Sequence, residues 1–311
     1  MKTNILIVGG SGFVGTNILK KINHTKYNVF ATRNKSKKYL KSGKIKYFKG
    51  DLKNLKFCEK ITSSIDIVIM CAAVSSGAMI IQNNPMFHVD ENIIINQNIL
   101  KASAKNKVKK FVFLSSNTVY PVSKKPMKEK DMNYDLFHKY FNVGWMKIFS
   151  EKLCEMYKNK MIINIIRPAN LYGPYDKFDP TRSKVVPALI RKFEKQTTIE
   201  VWGTGKDIKD FLFIEDFVVN LLIVVEKVNK FSILNICSSK SISLLKIIDI
   251  LKKIHKPKEK RIIFNKGKPS MIPYRKINNK KIKSLIKFRL FNSLEEGIIK
   301  TVKWYKKNKK V

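Results

Sequence analysis

The feature that most constrains the fold of this chain is a glycine-rich turn directly after its first apolar run. Residues 4–8 (NILIV) are typical of a buried parallel strand, and the stretch GGSGFVG follows at once. A helical pattern then covers residues 14–22. Glycine permits a tight turn and lets the backbone approach a pyrophosphate, which a helix N-terminus stabilises. This strand–turn–helix therefore predicts a dinucleotide-binding site.

The strand theme recurs along the first half of the chain. Further apolar runs lie at 27–32, 45–48, 65–73, 109–116 and 161–169, and helical patterns at 90–105 and 140–158. Alternating strands and helices favour parallel pairing with right-handed crossovers. The sequence thus predicts an α/β fold with a Rossmann-type, doubly wound parallel sheet.

The pattern loosens after about residue 175. Helices are expected at 185–193, 214–228 and 243–256, a strand ending in a turn at 199–205, and a short strand at 261–264. The last residues, KWYKKNKKV (303–311), are predicted to form a frayed, solvated tail. We expect a dinucleotide-binding Rossmann domain in 1–175, with segments returning from about 205–240. Residues 176–311 would mainly form a smaller C-terminal α/β substrate-binding cap.

The composition is strongly basic, because 63 lysines and arginines oppose 23 acidic residues and give a formal net charge of +40. Nucleic-acid binding and the codon usage of an AT-rich genome both fit this excess. The lysines run from Lys2 to Lys310 without interleaved stacking aromatics. We therefore expect no nucleic acid as the main ligand, but a general attraction for small anions.

The cysteines and the apolar runs indicate the cellular compartment of the protein. Cys58, Cys71, Cys154 and Cys237 are scattered and form no metal-binding pattern, so we predict no metal site and reduced thiols. The N-terminal apolar run is interrupted by glycines and is not a signal peptide, and no run is long enough to span a bilayer. The expectation is a cytoplasmic protein without a membrane partner.

The end of the second predicted strand bears on the choice of cofactor. NAD sites usually carry an acidic residue about 20 residues after the glycines. Here Thr32, Arg33 and Asn34 are followed by lysines, without an acid. Arg33 could bind a 2′-phosphate, which favours NADP, or it could stack on the adenine. Asp51, in the stretch GDL (50–52), is expected to contact the adenine.

Seven motifs carry a family resemblance over nearly the whole chain: GGSGFVG (9–15), GDL (50–52), CAA (71–73), FLSSNTVYP (113–121), RPANLYGPYDKFDP (167–180), VWGTG (201–205) and FIEDF (213–217). Together they resemble the extended short-chain dehydrogenase/reductase family of nucleotide-sugar enzymes, also described as NAD-dependent epimerases/dehydratases. The NLYGP region and KLCEMY (152–157) look most like the GDP-L-fucose synthase type, which uses NADPH on a GDP-bound 6-deoxy-4-keto sugar. The segments KPSMIPYRK (268–276) and VGWMK (143–147) also resemble GDP-heptose 4-dehydrogenases.

The resemblance implies catalytic roles residue by residue. The catalytic serine falls on Ser116, and the lysine of the family's Tyr-x-x-x-Lys pair falls on Lys147. The tyrosine falls on Val143, which cannot move a proton. Three replacements remain open: Tyr140, which is either an acid on the same helix face or a packed helix-start residue; a relay through Ser116 or Thr118; and Lys184, if burial lowers its pKa. Trp145, near the valine, would narrow the nicotinamide site or simply pack.

The resemblance also implies two binding sets. Those expected to bind the dinucleotide are Gly9, Gly12, Phe13, Val14, Gly15, Arg33, Asp51, Leu52, Ala72, Ala73, Lys147, Pro168 and Asn170. Those expected to bind the nucleotide sugar are Asn170, Lys184, Arg191, Trp202 and Lys209. The resemblance favours NAD as the cofactor, whereas Arg33 favours NADP.

The function expected is NAD(P)-dependent hydride transfer at C4 of a GDP-hexose or GDP-heptose. We favour a 4-dehydrogenase of surface polysaccharide biosynthesis, because the epimerase cysteine and histidine of the fucose synthases are replaced by Thr118 and Lys184 and the tyrosine is missing too. The alternatives are a GDP-4-keto-6-deoxy-sugar reductase/epimerase and a catalytically weakened dinucleotide-binding regulator. The likeness further implies a homodimer or homotetramer, through helices such as 90–105 and 140–158.

Overall fold

The computed structural model describes residues 2–75, 78–256, 260–268 and 272–308. The strands are β1 (Thr3–Val8), β2 (Tyr27–Arg33), β3 (Ile45–Lys49), β4 (Ile67–Met70), β5 (Lys110–Leu114), β6 (Ser123–Met127), β7 (Ile162–Pro168), β8 (Asn170–Tyr172), β9 (Thr198–Trp202), β10 (Ile208–Phe213), β11 (Ser232–Ile236), β12 (Ser241–Ser243), β13 (Arg261–Asn265) and β14 (Tyr274–Ile277). The helices are α1 (Phe13–Lys21), α2 (Leu55–Thr62), α3 (Ala78–Asn83), α4 (Asp90–Lys105), α5 (Phe141–Met156), α6 (Val185–Lys195), α7 (Ile214–Lys227), α8 (Leu244–Ile254), α9 (Lys280–Leu285) and α10 (Leu294–Lys307).

The main sheet confirms the predicted Rossmann-type architecture. In the described part of the chain seven strands pair in the order β3-β2-β1-β4-β5-β7-β11, and every pairing is parallel. Alternate residues of β1 enter two separate cores: Ile5 and Ile7 face the side covered by α1 and α7, and Leu6 and Val8 face α2 and α4. Because both faces are covered, residues 5–8 of this strand are all apolar, which explains the continuous apolar run in the sequence.

A smaller α/β unit lies against the main sheet. Its strands pair in the order β12-β10-β14-β6, with β8 joined to β10, and β9 pairs with β13 in a separate ribbon. These strands come from positions between residue 123 and residue 277, so the unit depends on long-range pairing. The predicted strand at 199–205 is observed as β9.

The C-terminal segment corrects one prediction. Residues 303–308 were expected in a frayed tail, but α10 continues through Lys307 and Tyr305 is only 4% exposed. The ring of Tyr305 stacks on Phe178 at 4.7 Å, which anchors the last turns of the helix. A capping box of Ser293 and Glu296 fixes the start of α10. The remaining tail residues, 309–311, lie outside the described residues.

Within the described residues, no helix is both long enough and apolar enough to cross a membrane.

Candidate active site

The glycine turn forms a compact cradle between β1 and α1. Gly9 has a φ of +87°, in the left-handed region that favours glycine. A Cβ added to Gly15 would lie 2.2 Å from the carbonyl oxygen of Gly9, and one added to Gly9 would lie 2.7 Å from the backbone of Ala72. The N-cap residue Gly12 has no side chain that could cap the first turn of α1. The backbone N–H groups of that turn are therefore available to an anion. These residues fit the pyrophosphate of a dinucleotide.

The other predicted cofactor-binding residues lie at the same edge of the sheet. Arg33 ends β2, and its carbonyl oxygen accepts a hydrogen bond of 3.0 Å from Gly50, which brings Asp51 alongside. Ala72 and Ala73 follow β4, the strand beside β1. The strand order reverses between β1 and β4, which is where doubly wound sheets bind their ligands. Phe13 and Val14 open α1, and Leu52 is buried behind Asp51.

The predicted catalytic serine and lysine converge at the end of β5. Ser116 follows this strand, and its Oγ accepts a hydrogen bond of 3.1 Å from the N–H of Thr118. Lys147 lies on α5, and its Nζ donates to the carbonyl oxygen of Leu114 at 3.0 Å. Burial lowers the pKa of the Lys147 ammonium to about 8, although the negative charge of Glu151 opposes this shift. The two side chains thus flank the same strand end.

A buried polar network supports this strand end. The Glu151 carboxylate accepts hydrogen bonds from Ser115 Oγ and from Arg167 Nε and Nη2, the last two at 3.0 and 2.6 Å. Arg167 Nη1 also donates to the hydroxyl of Tyr120 at 3.0 Å. Ser115 directly precedes Ser116, and Glu151 follows Lys147 by one helical turn. The network therefore fixes the positions of Ser116 and Lys147. Glu151 and Arg167 were not predicted as site residues.

Val143 and Trp145 lie on different faces of α5. Val143 is partly buried one turn before Lys147. The indole of Trp145 is on the outer face, where it stacks on Tyr134 with ring centroids 5.2 Å apart and is 37% exposed. This arrangement supports the packing role for Trp145 and not a narrowing of the nicotinamide site.

Tyr140 lies beside an arginine that the sequence analysis did not select. The guanidinium of Arg275 is 5.7 Å from the Tyr140 ring centroid and is 3% exposed. Its Nη1 donates to the carbonyl oxygens of Asn117 and Tyr120, the latter at 3.1 Å. Arg275 therefore joins Tyr140 to the turn that carries Ser116 and Thr118.

Two groups at or beside this turn have unused hydrogen-bonding capacity. Arg275 Nη2 and Thr118 Oγ1 are buried and make no hydrogen bond to any described residue. Burial lowers the pKa of Arg275 to about 10. Lys209 is next to Arg275 in the sheet and pairs with Asp207 at 3.2 Å. Burial lowers the pKa of Lys209 as well, so two poorly solvated cations adjoin the catalytic turn.

Pro168 and Asn170 fasten the neighbouring strand end to the same turn. The carbonyl oxygen of Pro168 accepts a hydrogen bond of 3.0 Å from the Asn117 side chain, and Asn170 Nδ2 donates to the carbonyl oxygen of Asp210 at 2.8 Å. Burial raises the pKa of the Asp210 carboxyl to about 7. Both predicted residues thus border the Ser116 region.

The remaining substrate-binding candidates are dispersed. Lys184 is the exposed N-cap residue of α6, so the burial on which its use as an acid depended is absent. Arg191 lies on the same helix, near Tyr305 of α10. Burial raises the pKa of the Tyr305 hydroxyl, and the positive charge of Arg191 partly opposes that rise. Trp202 ends β9 and donates to Glu200 at 3.2 Å. None of the described residues forms a cluster of three or more potential metal ligands.

Comparisons with known proteins agree with this geometry. The sequence model of the NAD dependent epimerase/dehydratase family matches residues 5–237. GDP-L-fucose synthase of Escherichia coli is 28% identical over 264 residues, covering 78% of this chain and 81% of that enzyme. The dTDP-4-dehydro-6-deoxy-D-allose reductase of Streptomyces bikiniensis is 23% identical over 315 residues, covering 97% of this chain and 96% of that enzyme. UDP-glucose 4-epimerase of Thermotoga maritima, solved with UDP-glucose, superposes with a TM-score of 0.87 at 23% identity, covering 98% of this chain and 99% of that one.

Proposed function

The chain belongs to the NAD-dependent epimerase/dehydratase family, and from that premise we propose that it reduces the C4 keto group of a nucleotide-linked deoxy sugar with NAD(P)H. The family consists of nucleotide-sugar oxidoreductases, epimerases and dehydratases, and this chain is such an enzyme. The observation that carries the proposal is the convergence of Ser116, Lys147 and buried Arg275 around the end of β5, in the sheet whose first strand leads into the glycine cradle.

The named relatives favour reduction over the 4-dehydrogenation that the sequence led us to expect. One is a GDP-L-fucose synthase and another a dTDP-4-dehydro-6-deoxy-D-allose reductase, and neither is a 4-dehydrogenase. The family resemblance assigns Thr118 and Lys184 to the positions of the fucose-synthase epimerisation pair, and a threonine hydroxyl is a poor base for a carbon acid. We therefore propose reduction without epimerisation.

The proposed reaction needs one hydride and one proton. When bound, the nicotinamide supplies the hydride to C4. Ser116 donates a hydrogen bond to the C4 oxygen, and the Lys147 ammonium stabilises the negative charge that develops there. A proton then reaches that oxygen from the protein, which completes the alcohol.

Tyr140 is the proposed proton donor in place of the missing tyrosine at Val143. It is the N-cap residue of α5 and precedes Gly144 and Lys147 by four and seven residues, spacings that share one face of a helix. Burial raises the pKa of the Tyr140 phenol, although the charge of Arg275 partly opposes this, so the hydroxyl keeps its proton at neutral pH. Arg275 also connects the tyrosine ring to the Ser116 turn.

Arg275 and Lys209 are proposed to bind the diphosphate of the sugar nucleotide. Arg275 is buried and Lys209 partly buried beside the catalytic turn, and Arg275 Nη2 is buried without a described partner. An anion there would offset the desolvation of both charges. We propose a GDP-linked sugar, on the likeness to the fucose synthases, and NADPH as the hydride donor, because Arg33 and the lysines after it suit a 2′-phosphate.

Substrate turnover tests the function. The purified enzyme would be given GDP- and dTDP-linked 4-keto-6-deoxy sugars with NADPH or NADH, and separately the matching 4-hydroxy sugars with the oxidised dinucleotides. We expect consumption of NADPH with a GDP-linked keto sugar and no change at C3 or C5, detected by NMR of the product. Turnover of the 4-hydroxy sugars alone would support the dehydrogenase, and turnover of neither group would refute the proposal.

Two isosteric variants test the proton donor. Tyr140→Phe should lower the rate of reduction by roughly 10²–10⁴-fold, because the variant lacks the proposed acid. Thr118→Val removes the competing hydroxyl and should have a much smaller effect. A larger loss of rate in Thr118→Val than in Tyr140→Phe would identify Thr118 as the proton donor.

The pH dependence of the reaction should report Lys147. The pKa of its ammonium is lowered from the usual range to about 8, so the side chain is charged below that pH and neutral above it. We expect kcat/KM for reduction to fall as the pH rises through about 8, because the positive charge is lost. Lys147→Arg keeps a cation at all these pH values and should remove this decline. The exposed Lys152→Arg on the same helix is the control, and an unchanged decline in Lys147→Arg would show that another group titrates.

The outer face of α5 supports the proposed homodimer. Phe141, Trp145, Phe149 and Met156 follow one another along this helix, and their side chains are 48%, 37%, 45% and 75% exposed. Ile94, on the neighbouring α4, is also 42% exposed. Such a stripe would be buried if two copies paired about a twofold axis.

A charge substitution in the stripe tests this assembly. Phe149→Lys should convert the dimer to a monomer in light scattering after size exclusion, because pairing would bury the new charge. Phe291→Lys is the control, since Phe291 is 59% exposed but lies before α10, outside the stripe. A wild-type protein that is already monomeric at micromolar concentration would contradict the proposal.

A further inference from the structure

The segment that follows β8 crosses from the smaller unit to the main sheet. Its residues 173–177 connect to three separate elements of the Rossmann domain. Asn17 Nδ2, on α1, donates to the carbonyl oxygen of Pro174 at 2.9 Å. The ring of Tyr175 packs edge-on against Tyr39 with centroids 5.1 Å apart. We call residues 173–177 the strap.

The third contact lies at the far end of the strap. Lys177 Nζ donates to the carbonyl oxygen of Ser75 at 2.9 Å. Desolvation and the charges of Arg182 and Lys184 lower the pKa of Lys177, although the side chain is exposed. The strap therefore reaches the segment that leaves β4.

All three partners border the dinucleotide cleft. Asn17 lies in the second turn of α1, the helix whose N-terminus faces the glycine cradle. Tyr39 is in the loop that leaves β2 after Arg33, and Ser75 is three residues after Ala72. These elements follow the carboxyl ends of β1, β2 and β4, around the point where the strand order reverses. A segment fastened to all three spans the cleft.

The base of the strap is fixed on the C-terminal helix. The Tyr175 ring is 5.0 Å from that of Trp304, and the Phe178 ring contacts both Trp304 and Tyr305 of α10. Tyr175 has a φ of +69°, a left-handed conformation that a bulky residue adopts only when its surroundings impose it. The strap is thus anchored firmly at its base, whereas its contacts with Tyr39 and Ser75 lie at the surface and are weak individually.

We propose that the strap closes over the bound dinucleotide and slows its release, so that opening of the Tyr39–Tyr175 and Lys177–Ser75 contacts controls cofactor exchange. The inference depends on the proposed function in one respect only, the binding of a dinucleotide in this cleft. It assigns no part in the chemistry at C4 to any strap residue.

The rate of cofactor dissociation tests the proposed role of the strap directly. Fluorescent NADPH would be bound to the full chain and displaced by excess NADP⁺ in a stopped-flow instrument. The double variant Tyr39→Ala/Lys177→Met removes both surface contacts without touching the base of the strap. We expect dissociation to be faster by about tenfold or more, since each tenfold corresponds to about 1.4 kcal/mol, within the range of one aromatic pair or hydrogen bond.

Matched variants elsewhere control for general effects. Tyr134→Ala/Lys152→Met removes a similar aromatic pair, with Trp145, and a similar exposed lysine contact, with Glu155, on the outer face of α5. This control should release NADPH at the wild-type rate. An unchanged dissociation rate in the strap variant would overturn the proposal. Failure to bind any dinucleotide would overturn the strap and the proposed function together, whereas NADPH binding without sugar turnover would refute only the function.

Discussion

Replacing Gly15 with alanine should abolish useful dinucleotide binding. The added Cβ would lie 2.2 Å from the carbonyl oxygen of Gly9 and 2.8 Å from the Cα of Gly10. Both obstacles are backbone atoms of the cradle itself, so a side-chain rotation cannot relieve the overlap. Displacing the turn removes the N–H groups from the position that a pyrophosphate needs. We expect the Kd for NADPH to rise by more than about 100-fold, roughly 2.7 kcal/mol, in a fluorescence titration.

Two other glycines supply a graded control. Gly43 lies in an exposed loop, where an added Cβ would meet nothing within 4 Å. The Gly43→Ala variant should therefore bind NADPH as tightly as the wild type. Gly12→Ala would approach the Gly9 oxygen at 3.3 Å and should have an intermediate effect. Thermal melts of all three would separate loss of binding from loss of the fold. Wild-type affinity in a folded Gly15→Ala protein would show that the cofactor binds elsewhere.

The first half of the fold was predictable because its signals are local. Residues 4–8, 27–32 and 45–48 were predicted as strands and are observed as β1, β2 and β3 within one residue at each end. β1 is a short apolar run buried on both faces of the parallel sheet, and β2 and the edge strand β3 mix buried with exposed residues, so each pattern is visible within a few residues. Where the predicted runs were too long, as at 65–73, the strand ends earlier and the remaining residues carry Ala72 and Ala73 to the cleft.

The second half was less predictable because its strands are short and pair across the chain. β10 and β11 were not predicted as strands, although β10 is the centre of the smaller unit and β11 the edge of the main sheet. Arg275 went unnoticed for the same reason, since only the pairing of β14 with β10 and β6 brings it to Ser116. The helical C-terminus did carry a local signal, the Ser293-x-x-Glu296 capping box, which its lysine-rich composition obscured.

Breaking the buried pair of Glu151 and Arg167 should destabilise the protein more than any surface substitution. Their side chains are 4% and 1% exposed, and two hydrogen bonds join them. Glu151→Gln keeps the shape but leaves the Arg167 cation without its counter-charge in a poorly solvated site. Removing one partner of a buried pair costs about 3–5 kcal/mol. We expect a loss of that size in the free energy of unfolding, measured by urea denaturation.

Glu155→Gln, one turn further along the same helix, is the matched control. Glu155 pairs with Lys152 at 3.0 Å, but the two side chains are 36% and 50% exposed, so the loss should be about 0.2–1 kcal/mol. The double variant Glu151→Leu/Arg167→Met removes both charges and should be more stable than Glu151→Gln, because no lone buried charge remains. A Glu151→Gln protein as stable as Glu155→Gln would contradict the importance of the pair.

Glu151→Gln should also change catalysis, through its effect on Lys147. The negative charge of Glu151 counteracts the burial that lowers the pKa of Lys147 to about 8. Without that charge, the pKa of Lys147 should fall further, so the decline of kcat/KM with rising pH should begin at a lower pH in Glu151→Gln. A purely structural role would reduce stability and leave the position of this decline unchanged. A shift would therefore show that the pair which holds the Ser115 turn also keeps the lysine charged at neutral pH.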